Sequence, residues 1–200
     1  MNADPARRLP SDAANPPEVE AAFESAPADM VAEILDGELH VFPRPARPHT
    51  RAASRLGRRL GPFDDDDGNP GGWVLLDEPE LHLGVMPDKV VPDLAGWRRD
   101  RMPDAIGPED APAHYDIVPD WVCEVISPRT ERTDRGKKMR IYRREGVGHV
   151  WMLNPLAQTL EVYRLEGGRW TFVDTFEGDA VVRAEPFDAI ELALATLWAR

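Results

Sequence analysis

The chain has 200 residues, 42% hydrophobic and 30% charged, a balance expected of a globular protein rather than a fibrous or collagen-like one. It holds no run of about 18 apolar residues, so no membrane-spanning helix is expected, and the opening "MNADPARRLPSDAANPPEVE" lacks the apolar segment of a secretory leader. A formal net charge of −12 argues against a protein that binds nucleic acid through overall positive charge.

Taken in chain order, residues 1–18 are rich in Pro, Ala, Asn and Asp without periodicity. A disordered tail is expected there, ahead of one domain over 19–200. A short helix follows, then a hairpin about Asp36-Gly37, because Asp-Gly between apolar runs favours a tight two-residue turn. Ala52, Ala53, Leu56 and Leu60 recur at helical spacing, with arginines on the other face. "DDDDGNPGG" is a solvated loop whose acids alone do not make a cation site. "GWVLLDE" and "ELHLGV" are expected to pair as a hairpin, and "KVVPDLAGW" is apolar on both sides of Asp93. "GPEDAPAHYDIVP" is expected to be a loop.

"DWVCEVIS" is apolar on both faces, the pattern of a central strand covered on each side, and Pro128 ends it. Cys123 leaves no partner for an internal disulfide, which fits a reducing cytoplasm. Its apolar neighbours mark it as a packing residue. "TERTDRGKKMRIYRREG" is expected to be a helix closed by Gly146, with Met139, Ile141 and Tyr142 as inner-face candidates. Three more strands, "GHVWMLNP", "TLEVYRLEGG" and "RWTFVD", precede a C-terminal helix over "AIELALATLWA". The order of elements predicts a mixed sheet flanked by helices, an α/β or α+β sandwich.

Two of these strands each carry one acid in an apolar setting, Asp93 and Glu124. A buried carboxylate costs several kcal/mol unless a cation or donors compensate it. Two that converge repel each other unless a metal ion holds both ionised. Such oxygen ligands suit Mg²⁺ or Mn²⁺. The histidines (His40, His49, His82, His114, His149) do not fall at zinc-ligand spacings. Two basic stretches lie within the acidic chain, Arg44 to Arg59 and Arg129 to Arg144. Each is most simply a solvated helix face.

"VPDL", then "CEVISPRTERTDRGKKMRIYRREGVGHVWMLNP", resembles the PD-(D/E)XK nuclease superfamily, and within it the Uma-type restriction endonuclease family. The resemblance runs from about residue 27 to the end. "AEILDGELHVFPRP" with His49 resembles the family's opening segment, and "LEVYRL" and "LATLWA" its tail. One departure matters: Ile126 stands where the superfamily motif has lysine. The Uma-type pattern carries that lysine in the following helix, here in the run Asp134, Gly136, Lys138, Tyr142. Its neighbour Lys137 lies about 100° away around a helix, so only one of the two faces a site.

The resemblance implies a restriction-endonuclease-like fold and a Mg²⁺- or Mn²⁺-dependent DNA endonuclease. Asp93, Glu124 and the backbone carbonyl of Val125 would hold the metal, and Lys138 would orient the nucleophile and stabilise the transition state. Glu33, with Glu38 as its rival, would be a further site acid. His49 and Tyr142 are candidate lining residues, each also readable as a packing residue. Arg51, Arg55, Arg135 and Lys137 are candidate nucleic-acid contacts. A two-fold homodimer would suit double-strand cleavage. Two other readings remain: an inactive nucleic-acid-binding module on the same fold, which the charge of −12 favours, and a phosphoesterase acting on RNA or nucleotides.

Overall fold

A computed structural model describes residues 14–64, 69–102 and 111–198. Most of the expected tail, three of the four aspartates of "DDDD" and the start of the loop "GPEDAPAHYDIVP" lie outside the described residues. Within that tail, however, the chain is anchored from Asn15. Its side-chain amide donates to Glu20 Oε1 at 2.8 Å and to the Pro87 carbonyl at 2.9 Å, just ahead of helix α1 (Pro17–Glu24).

The hairpin forms as the Asp-Gly signal predicts. Strands β1 (Met30–Leu35) and β2 (Glu38–Pro43) pair antiparallel with Leu35 opposite Glu38. Asp36 and Gly37 both have positive φ, 53° and 76°, the twist-matching turn that these residues tolerate. In α2 (Arg47–Asp64) the apolar stripe Ala52, Leu56, Leu60 and Phe63 is buried.

The chain then alternates between two sheets. β3 (Trp73–Asp77) joins a six-stranded sheet, and β4 (Glu80–Leu83) and β5 (Asp88–Val90) join a five-stranded one. β6 (Leu94–Arg98) returns to the first, and β7 (His114–Tyr115) adds to the second. The hairpin expected from "GWVLLDE" and "ELHLGV" does not form: β3 pairs with β6, and β4 with β5 and β7. Glu78 at φ 46° and Pro79, which has no donor for a ladder, turn the chain out of one sheet and into the other. "KVVPDLAGW" is likewise two strands, with Val91, Pro92 and Asp93 forming the joint between the sheets.

β8 (Trp121–Val125), buried throughout, is interior to the six-stranded sheet, whose order is β11-β10-β9-β8-β6-β3. β9 (His149–Asn154) runs parallel to β8; β10 (Thr159–Glu166) and β11 (Arg169–Glu177) continue the sheet antiparallel. Between β8 and β9 a short α3 (Glu131–Thr133) passes through a π-helical turn (Asp134–Lys138) into α4 (Met139–Glu145). It closes on Gly146 at φ 90°, a left-handed cap that suits glycine.

The six-stranded sheet is covered on both faces. On one side, α2 and the C-terminal segment pack around Trp121, Cys123, Val125, Trp151 and Phe187. On the other, the five-stranded sheet and α4 pack around Val122, Ile126, Leu81, Val90, Ile141 and Tyr142. The C-terminal helix expected from "AIELALATLWA" is reduced to one turn, α5 (Ala195–Trp198). Ahead of it β13 (Leu192–Ala193) pairs with β12 (Val181–Val182). Leu192 and Leu194 bury two residues apart, so a strand period prevails where the apolar run also admits a helix.

Gly96 of β6 marks the tightest approach in this sheet. A Cβ there would lie 2.8 Å from Leu75 Cδ2 and 3.2–3.3 Å from the rings of Trp121 and Trp73. Gly96→Ala is therefore expected to destabilise the fold by about 1–3 kcal/mol through overpacking, measurable as a lowered urea midpoint.

Candidate active site

Strand register brings the first two acids together. Leu94 of β6 lies opposite Cys123 of β8 in an antiparallel pair, so one step further Asp93 faces Glu124. Leu94 and Cys123 both point into the core beneath α2. Alternation therefore turns Asp93 and Glu124 to the opposite face, toward α4. Asp93 closes the strand end: its Oδ2 accepts the Val125 N–H at 2.6 Å, and its Oδ1 lies 3.1 Å from His49 Nε2 at the start of α2. Glu33 enters from β1, its Oε1 accepting the Val91 N–H of the joint at 2.8 Å.

Lys138 is set among these acids from the π-helical turn. Its Nζ lies 2.9 Å from Glu33 Oε1, 3.2 Å from Glu124 Oε2 and 3.7 Å from Asp134 Oδ1, and it donates to the Val91 carbonyl at 3.2 Å. Tyr142 O–H donates to the other oxygen of Glu124 at 2.5 Å. Glu33, Glu124 and Asp134 are each 2% exposed and Lys138 5%. Lys137 turns outward, to Glu38 and His40, as one helical step requires.

Three buried acids surround one ammonium, with the part-buried Asp93 beside them. Burial pushes the Glu124 carboxyl well above the carboxylate range; Lys138 opposes this, while Asp134, Asp93 and Glu33 add to it. Burial likewise raises Asp134, to about 6. For Lys138 burial acts downward, but Glu124, Glu33 and Asp134 outweigh it and hold the ammonium well above its ordinary value. Burial and the adjacent Glu124 push Tyr142 up, so it remains a donor. Replacing a buried ion cluster with apolar side chains is often neutral or stabilising. Fold stability therefore does not account for this cluster, and perturbed acids in a cleft make it a candidate functional site.

The cluster floors a cleft of about 310 Å³ lined by Glu33, Asp93, Glu124, Asp134, Lys138 and His49, with Arg44, Ser127, Arg129 and Thr130 around it. His49 Nδ1 is buried without a hydrogen-bond partner. The carboxylate and carbonyl oxygens here are the donor set that Mg²⁺ or Mn²⁺ takes.

A model of one protein family matches residues 19–195 and carries the description "Putative restriction endonuclease". The chain belongs to this family, Uma2. The fold of this Uma2 protein is also that of a crystal structure described as a putative nuclease belonging to DUF820 from Anabaena variabilis. The two share 20% identity at a TM-score of 0.71, over 90% of this chain and 97% of that one. No curated protein matches the chain.

The candidate nucleic-acid contacts are not brought to this cleft. Arg135 is held bidentately by Glu161 and also by Glu131, Lys137 by Glu38, and Arg55 donates to the Thr196 carbonyl. Arg51 lines a separate hollow with Arg47 and Trp198. Arg44 and Arg129 line the cleft instead; both lay in the basic stretches, but spacing alone did not distinguish them. Asp134, legible only as part of the Uma-type run, also lines the cleft. A further group, Glu80, His82 and His114, has ligand atoms within 4.8 Å of one another, with the two imidazoles stacked at 3.7 Å. Sheet pairing between β4 and β7 unites them, so no sequence spacing reveals it. Leu81 and Leu83 face the inner core, which turns Glu80 and His82 to the outer face, away from the cleft.

Asp134 sits near 6 in the fold against an ordinary 3.8, so the native state binds its proton more tightly. Its contribution to stability therefore falls as pH rises from about 4 to about 6. Asp134→Asn should melt at an increasingly higher temperature than wild type across that window, with the difference vanishing below about pH 4. Parallel thermal melts measure it.

Proposed function

We propose that this Uma2 protein is a divalent-metal-dependent DNA endonuclease. The observation that carries the reading is the buried convergence of Glu33, Glu124 and Asp134 on the Lys138 ammonium, with Asp93 lining the same cleft. Membership of a family described as restriction endonuclease supports it.

Asp93 and Glu124 would hold the metal, with Glu33 and Asp134 nearby to bind directly or through water. The Val125 N–H meets Asp93, and the Val125 carbonyl would be a further ligand. When bound, Mg²⁺ or Mn²⁺ would lower the pKa of a bound water and neutralise charge developing on the phosphate. Lys138 donates to the Val91 carbonyl, Glu33 and Glu124 and would stabilise the transition-state charge from the floor of the cleft. Tyr142 fixes the Glu124 carboxylate, and His49 fixes Asp93 from the far side. Arg44 and Arg129 are placed to hold flanking phosphates. A two-fold dimer would supply two such sites for double-strand cleavage.

An inactive binding module is the second reading, favoured by the charge of −12 and by the ion pairing of Arg135 and Lys137. Supercoiled plasmid incubated with Mg²⁺ or Mn²⁺ separates the two. The endonuclease nicks the plasmid, chelation stops it, and Asp93→Ala and Glu124→Ala abolish it. Lys138→Met lowers the rate by about 10²-fold or more. A metal-independent gel shift without nicking supports the module instead.

A further inference from the structure

The two walls of the cleft differ in chemistry. Beside the carboxylates, the β1–β2 hairpin contributes Val31 and Phe42, which pair across the strands. They share a face with Glu33 and His40, since alternate residues of a strand point the same way. Pro43 and Pro45 from this side and Pro128 from the end of β8 complete an apolar wall. Phe42 is only half-buried, its ring stacked beside His40 at 6.2 Å between centroids. Nothing in hydrolysis of a phosphodiester calls for an apolar wall within the same small cleft as the acids.

The floor is also recessed. Glu33, Glu124 and Asp134 are 2% exposed, so a phosphate must enter the cleft to reach them. The cleft, at about 310 Å³, is at the lower limit of small-ligand sites. Only about one nucleotide at a time fits within it. Arg129 is exposed at its edge, and Arg44 is engaged at its surface by Glu78 and by the Ala28 carbonyl, each at 3.5 Å. Both are available to phosphates on either side of the one that enters.

We infer that this cleft seats a single unstacked nucleobase against Phe42, so that the substrate is single-stranded or locally opened nucleic acid rather than intact duplex. The inference rests on the nuclease reading and narrows its substrate. Aromatic side chains hold unpaired bases by stacking, which tolerates any sequence, and taking a base out of a duplex first costs its pairing and stacking.

The test is fluorescence titration of one 2-aminopurine-labelled oligonucleotide in Ca²⁺, as single strand, as full duplex and as a duplex with a central unpaired bubble. Single strand and bubble should bind at least about tenfold tighter than duplex. Phe42→Ala should lose about tenfold of the single-strand affinity, and Phe42→Trp should keep it. Duplex binding as tight as single strand overturns the inference, as does unchanged single-strand affinity in a folded Phe42→Ala. The strand comparison in wild type stands without either variant. Binding preference and Mn²⁺-dependent cleavage of the same oligonucleotides are separate readouts: equal duplex binding with cleavage intact removes the base pocket alone, and absence of cleavage of single strand, bubble and duplex alike removes the endonuclease.

Discussion

A single ammonium, that of Lys138, lies out of water among Glu33, Glu124 and Asp134, and much of the architecture is arranged to put it there. The joint Val91-Pro92-Asp93 supplies the carbonyl that receives one of its protons and the N–H that fixes Glu33. The π-helical turn carries both Asp134 and Lys138 inward. Such turns are uncommon, and they recur at functional sites. Removing the Lys138 ammonium would leave these acids uncompensated, at a cost of about 3–5 kcal/mol. The acids are therefore held in place by that one ammonium.

The two-sheet arrangement explains how acids so far apart in sequence meet. Glu33 belongs to the five-stranded sheet and Glu124 to the six-stranded one, and Asp93 sits where the chain passes from the first to the second. A continuous hairpin from Trp73 to Leu83 would have kept β4 in the sheet of β3. Turning out at Glu78-Pro79 lets β4 and β5 build the second sheet, and so places Glu33 across from α4.

Much of this was legible in residues. Asp-Gly encoded its turn through backbone conformation alone, the stripe of α2 encoded its buried face, and "DWVCEVIS" encoded a doubly covered strand. Glu124 stood out because a carboxylate in an apolar strand requires compensation. Lys138 was selected over Lys137 by the Uma-type pattern, and the helix geometry agrees with that choice. Long-range pairing was not legible: which strands share a sheet depends on packing among distant segments, so β3 and β4 were read as partners. The C-terminal apolar run fits both periods, and only its neighbours decide between them. Basic residues were read from their density, while their ion pairs with Glu161 and Glu38 depend on the fold. Hence the arginines that border the cleft, Arg44 and Arg129, were not singled out.

The central claim is that these acids share one divalent cation beside Lys138. Anomalous scattering from a crystal soaked in Mn²⁺ measures this most directly. The account predicts a peak bounded by Asp93 and Glu124, with the Lys138 ammonium still against Glu33. No peak in the cleft, or a peak only at Glu80, His82 and His114 on the outer face, would contradict it.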